Sequence, residues 1–147
     1  MTQIIAEICQ NHNGDTKILQ EMVHAASEAG ADYAKIQAIN SSELTFRERF
    51  ENGLMEGETV KVIKRPFQAE LNRLKKLDLT ENDHGLFLEY CKKFNIKPMC
   101  TAFSYSNVDL LEKLKFKSIK IASFDCASHN LIREACKKNF EEIIVST

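Results

Sequence analysis

Apolar residues concentrate in five short runs, 4–9, 33–38, 97–103, 118–123 and 142–147. Their length and their bounding turn residues predict β-strands. Between the runs the pattern changes to a helical period. Ile18, Met22, Ala25 and Ala29 recur at helical spacing ahead of Gly30, which predicts a helix and its stop. Thr80 and Asp83 form a capping-box pattern that opens a helix through Tyr90 and Phe94. Asn107 is placed to cap a helix carrying Val108, Leu111 and Leu114, and a last helix carries Leu131, Ile132, Ala135 and Cys136. Strands alternating with helices predict an α/β fold with a parallel sheet.

The steps between strands sharpen that expectation. Glu7 to Lys35 is 28 residues, Thr101 to Ser123 is 22 and Ser123 to Ser146 is 23, the length of single βα units of a barrel. Gln37 to Thr101 takes 64, enough for one such unit plus an excursion at roughly 41–66, read as a long loop lying over a site. A helix over 67–77 follows it. A closed (β/α)8 TIM-type barrel has eight strands and about 250 residues. The expectation is therefore an incomplete barrel holding about the first five βα units. The closing run IIVST, an apolar strand with no helix to cover it, points to 1–147 as the N-terminal portion of a longer barrel.

Composition narrows the functional classes. Apolar residues make up 44% and charged residues 28% of the chain, as in a soluble globular domain. A formal net charge of -1 implies no general attraction to nucleic acid or to a membrane surface. No apolar run approaches the roughly 20 residues of a membrane span, and no basic segment precedes the short apolar run at the N-terminus, so a signal peptide is not expected. The five cysteines are odd in number, lack metal-binding spacing and read as reduced, buried, small apolar residues of a cytoplasmic protein.

In a parallel sheet, ligands collect at the C-terminal ends of the strands. The polar residues there are Glu7 with the Asn11-His12-Asn13-Gly14 loop, Lys35 with Gln37, Thr101, Lys120 with Ser123, and Ser146 with Thr147. Two lysines at equivalent strand ends, with hydroxyls and an amide, suit a small anion bearing phosphate and carboxylate. Alternation aims Lys120 into a barrel interior, where a bound anion would supply its counter-charge. Beside two cations Glu7 should stay ionised, able to act as a base or to bind a sugar hydroxyl. His12 reads as a hydrogen-bonding loop residue rather than a metal ligand, and His24, His84 and His129 show no partnering pattern. The charges of 47–58 read as a solvated face.

The pieces AEICQNHNGD, AGADYAKIQ, LTENDHGLFLEYCKKFNIKPMCTAF, SNVDLLEKL, KIAS and IIVST, in this order and spacing, resemble the N-terminal part of the sialic acid (N-acetylneuraminate, or nonulosonic acid) synthase family. The resemblance implies a (β/α)8 barrel followed by a small antifreeze-like domain that reaches across a homodimer. It implies condensation of phosphoenolpyruvate with an N-acyl mannosamine-like sugar aldehyde, releasing phosphate and giving a nine-carbon 2-keto acid. By the same resemblance, Glu7 lies at the reacting centre, Gln37 binds the sugar, and Lys35, Thr101, Lys120 and Ser123 hold phosphoenolpyruvate. A divalent metal, manganese or magnesium, polarises the aldehyde in the family, but its two histidine ligands fall on later strands, outside this chain. The later barrel strands and the antifreeze-like domain are expected to be absent, and the chain alone to be inactive.

Four positions depart from the family pattern. Cys9 stands where Gly is usual, Cys100-Thr101-Ala102 replaces Ser-Thr-Pro, and Phe124 follows KIAS in place of Gly. Phe124 is bulky at a strand exit. Two other readings compete: a phosphate-binding βα-barrel aldolase with a Schiff-base lysine, and a non-catalytic module that pairs with a second half.

Overall fold

The computed structural model of the chain describes residues 2–147. Five strands, β1 (Ile5–Cys9), β2 (Tyr33–Ala38), β5 (Lys97–Ala102), β6 (Ser118–Ile121) and β7 (Glu142–Val145), form one parallel sheet in the order β1-β2-β5-β6-β7. The strands sit side by side in chain order, with no reversal. Right-handed crossovers then all fall on one face, and the helices α1 (Thr16–Glu28), α4 (Glu81–Lys93), α5 (Tyr105–Lys113) and α6 (His129–Ala135) provide them. This singly wound order is consistent with consecutive barrel strands, and differs from a doubly wound sheet, whose strand order turns back.

Alternation along the strands decides which residues the helices cover. Ile8, Ala34, Ile36, Ala38, Cys100, Ala102, Ile119 and Ile121 point to that face and join Leu19, Val23, Phe87, Val108 and Leu111 in one buried core. Phe87 and Phe116 stack at 6.2 Å between centroids. The Ser27 hydroxyl donates to the Phe94 carbonyl at 2.6 Å, tying α1 to the end of α4.

The predicted capping box is present: Thr80 accepts from the Asp83 N–H, and Asp83 accepts from the Thr80 N–H. The cap of α5 differs from expectation. Ser104 caps it by accepting from the Asn107 N–H. Asn107 lies one turn in, where its side-chain oxygen accepts from the Phe103 N–H at 3.1 Å. Asn107 is thus a buried clamp on the β5 exit rather than a cap.

The excursion is more ordered than a loop. A 3-10 turn (Ser41–Glu43), a short helix α2 (Glu48–Glu51) and an antiparallel hairpin of β3 (Leu54–Glu56) with β4 (Thr59–Val62) precede α3 (Phe67–Leu74). Gly57 opens the two-residue hairpin loop at φ 58, a conformation such loops reserve for Gly, Asn or Asp. The charges of 47–58, read from sequence as a solvated face, run through α2 and β3, and the residues of the strand pair are mostly exposed.

Not all cysteines are buried: Cys91 and Cys100 are, Cys9 is half-buried, and Cys126 and Cys136 are exposed. Burial pushes the Cys91 thiol up to about 12 and that of Cys100 higher still, so both are inert. Among the described residues no helix is long and apolar enough to cross a membrane.

Candidate functional site

The face of the sheet away from the helices carries rows of side chains, two of which hold the candidate residues. Parallel register places Glu7, Lys35, Met99, Ser118 and Glu142 level with one another across all five strands. The next row toward the C-terminal ends runs Gln37, Thr101, Lys120 and Ile144. The two lysines therefore occupy adjacent rows, a correction to their expected equivalence.

Lys35 is buried, at 3% exposure. Its ammonium donates to Thr101 Oγ1 at 3.0 Å and forms an ion pair with Glu7. An ammonium has three donors, so one N–H of Lys35 remains for a ligand. Glu7 also accepts from the Cys9 N–H at 3.1 Å and keeps a half-exposed carboxylate. The expected cluster of two free cations is thus one neutralised lysine and one, Lys120, that pairs with no carboxylate among the described residues. Ser123 lies past the end of β6, exposed on a 3-10 turn (Ser123–Asp125).

Cys9 belongs to this cluster, although the sequence reading did not place it there. Its Sγ accepts from Gln37 Nε2 at 3.0 Å. It sits at φ 58, beside a shift in register between Glu7 and Cys9. A left-handed conformation disfavours a side chain, which fits the glycine usual at this position.

The loop after β1 is pinned to the helical layer. Gly14 adopts φ 77, and a Cβ there would meet the Lys76 carbonyl oxygen at 2.3 Å, so only glycine fits. The Gly14 N–H donates to His12 Nδ1 at 3.0 Å, leaving the His12 proton on Nε2. His84, for which the sequence showed no partnering, is buried close enough for its charge to act on His12. Its Nδ1 faces the Thr80 carbonyl at 2.9 Å and must carry the proton, so Nε2 is bare, buried and unpartnered among the described residues. Burial lowers the pKa of both histidines. No group of three or more His, Cys, Asp or Glu side chains among the described residues is arranged to hold a metal ion.

The sequence profile of the NeuB family matches residues 22–147. The chain belongs to the NeuB family. It is 34% identical to the N,N'-diacetyllegionaminic acid synthase of Legionella pneumophila, an alignment covering 98% of this chain and 39% of that protein. It is 27% identical to the human N-acetylneuraminate-9-phosphate synthase, over 97% of this chain and 38% of the human one. The crystal structure of N-acetylneuraminic acid synthetase from Leptospira borgpetersenii, in complex with citrate, superposes with a TM-score of 0.76 and 29% identity, covering 97% of this chain and 43% of that one. This NeuB-family chain spans about two-fifths of the length of the curated relatives it matches.

Proposed function

We propose that the open face of the sheet is the phosphoenolpyruvate-binding part of a nonulosonic acid synthase site, and that the chain is the first five βα units of a (β/α)8 barrel. The observation that carries this reading is the pair of polar rows. Lys120, which pairs with no carboxylate among the described residues, is the register partner of Thr101, whose hydroxyl accepts from a lysine with one further N–H. Such a set suits a ligand with two anionic ends.

Lys120, Thr101 and Ser123 would bind the phosphate and Lys35 the carboxylate. The Gln37 side-chain oxygen and the half-exposed Glu7 would orient the hydroxyls of an N-acyl amino sugar. In the reaction, the enol carbon of phosphoenolpyruvate bonds to the aldehyde carbon, whose oxygen takes up a proton. Water then adds at the phosphate-bearing carbon, and C–O cleavage releases inorganic phosphate to leave the 2-keto acid. Glu7 would accept a proton from that water. The family implies a divalent metal at the aldehyde; the residues described here do not fit one, and no step is assigned to it.

On the isolated chain the site lies on an open face, where water reaches the reacting carbons. The chain by itself therefore binds phosphoenolpyruvate without turnover. A condensation assay with N-acetylmannosamine, phosphoenolpyruvate and manganese should release no phosphate above background, and clear turnover would contradict the proposal. Borohydride trapping of pyruvate on Lys35 or Lys120 would instead favour an aldolase with a Schiff-base lysine.

A further inference from the structure

Residue 9 makes two contacts at the start of the open face, and only one of them needs a side chain. β1 bulges between Glu7 and Cys9: Glu7 is level with Lys35, yet Cys9 is level with Ile36. The chain absorbs the extra residue by burying Ile8 in the core under the helices and turning Cys9 to φ 58. In that conformation the Cys9 N–H donates back to Glu7 Oε1 at 3.1 Å. A glycine would form the same bond without steric cost. The contact to Glu7 therefore explains the backbone but not the cysteine, which the left-handed region disfavours.

What the side chain adds is a hold on Gln37. Cys9 Sγ accepts from Gln37 Nε2 at 3.0 Å, from β1 to β2. The Gln37 side chain is half-buried and makes no other hydrogen bond among the described residues. The terminal torsion of a glutamine is broad and roughly two-fold, so an amide without this contact presents either its oxygen or its NH2 group to the open face. With an N–H spent on the sulfur, the oxygen end is turned away from Cys9. Glu7, through its half-exposed carboxylate, and Gln37, through Oε1, then offer two acceptors side by side. A ligand answers both only with groups that donate, hydroxyls or an amide N–H.

We infer that Cys9 is a positioning residue: its sulfur fixes the Gln37 amide with the oxygen toward the ligand, and so makes this end of the site select hydrogen-bond donors. This role rests on the reading of the open face as a synthase site with Gln37 at its sugar end, and adds the residue that orients Gln37. It is particular to this chain, since the glycine usual at this position has no atom to accept from the amide.

NMR of the 15N-labelled 147-residue chain tests it, with N-acetylmannosamine and phosphoenolpyruvate as separate probes. The Gln37 side-chain NH2 protons should show an NOE to the Cys9 β-protons. Cys9→Ala and Cys9→Ser keep the same backbone strain and the N–H to Glu7, so they differ only at the acceptor atom. In Cys9→Ala the Gln37 side-chain amide signals should shift, and affinity for N-acetylmannosamine should fall about fivefold, as loss of one modest hydrogen bond does. Cys9→Ser should restore both, because a hydroxyl also accepts from an amide. Phosphoenolpyruvate affinity should stay equal in all three chains. A missing NOE, equal sugar affinity in the unaltered chain and Cys9→Ala, or no recovery in Cys9→Ser would each overturn the inference. Absence of N-acetylmannosamine binding by the unaltered chain would overturn it too, even if phosphoenolpyruvate binds. Cys9-dependent sugar binding without any phosphoenolpyruvate binding would support the role of Cys9 and sink the reading of the open face.

Discussion

The two faces of the sheet are built from alternate residues of the same five strands, yet they follow opposite rules. On the helix-covered face Ile36, Cys100, Ile119 and Ile121 are apolar and fully buried. On the other, Glu7, Lys35, Gln37, Thr101 and Lys120 lie in level rows with little helix cover. The covered face is a packing problem, solved by volume. The open face is an electrostatic one, in which Lys35 is matched by Glu7 and Lys120 pairs with no carboxylate among the described residues. The difference teaches where stability and function separate in this fold: one residue of register moves a side chain from one task to the other.

The largest effect should come from the covered face. Phe87→Ala removes a fully buried ring that stacks on Phe116 and should cost about 3–5 kcal/mol in urea unfolding. A loss under 1 kcal/mol would mean that the helices are not what stabilises the sheet.

The open face should respond asymmetrically to charge removal. Glu7→Gln leaves the buried Lys35 ammonium without a counter-charge and should cost about 2 kcal/mol, below the value for a wholly buried pair because water reaches Glu7. Lys35→Met replaces the ammonium by an apolar group of similar volume and should cost under about 1.5 kcal/mol. Equal losses in the two unfolding curves would show that the pair is not organised around Lys35.

The two faces were also unequally legible in the sequence. Apolar periodicity reveals any strand that packs on helices, and β2 matches its expected limits, 33–38, at both ends. Thr80 and Asp83 were legible because a capping box is local. The candidate residues were legible as strand-end polar positions, but their pairing was not: the neutralisation of Lys35 by Glu7 spans two strands, and the one-row offset of Lys120 depends on sheet register. The meeting of His12 with His84 was hidden for the same reason, since the two come from separate elements. In the excursion, the short β3–β4 pair lacks a buried face, so no apolar pattern announced it.

Cys9→Gly tests the strain where the open face begins. Releasing the left-handed backbone should stabilise the chain by about 0.5–1 kcal/mol, after allowing for glycine's larger unfolded-state entropy. Destabilisation would show that the contact from Gln37 to the Cys9 sulfur outweighs the backbone cost.

A smaller effect should appear with pH at the buried pair His12 and His84. Burial lowers the pKa of His84 and His12 from 6.5. The unfolded chain then takes up protons at these sites first, so stability should fall as pH drops below 6.5 and level off below the depressed folded values. The difference between the unaltered chain and His84→Leu, followed by thermal unfolding from pH 7.5 to about 5, should narrow as pH falls. A constant difference would remove His84 from the account.

By the proposed function, the open face, and Lys120 in particular, receives phosphoenolpyruvate. Titration of the 15N-labelled chain with phosphoenolpyruvate measures this directly. Amide shifts should move together at Lys35, Thr101, Lys120 and Ser123, with the covered face silent, and Lys120→Met should abolish them while leaving the rest of the spectrum intact. Unmoved resonances on the open face, or an undiminished response in Lys120→Met, would contradict the claim.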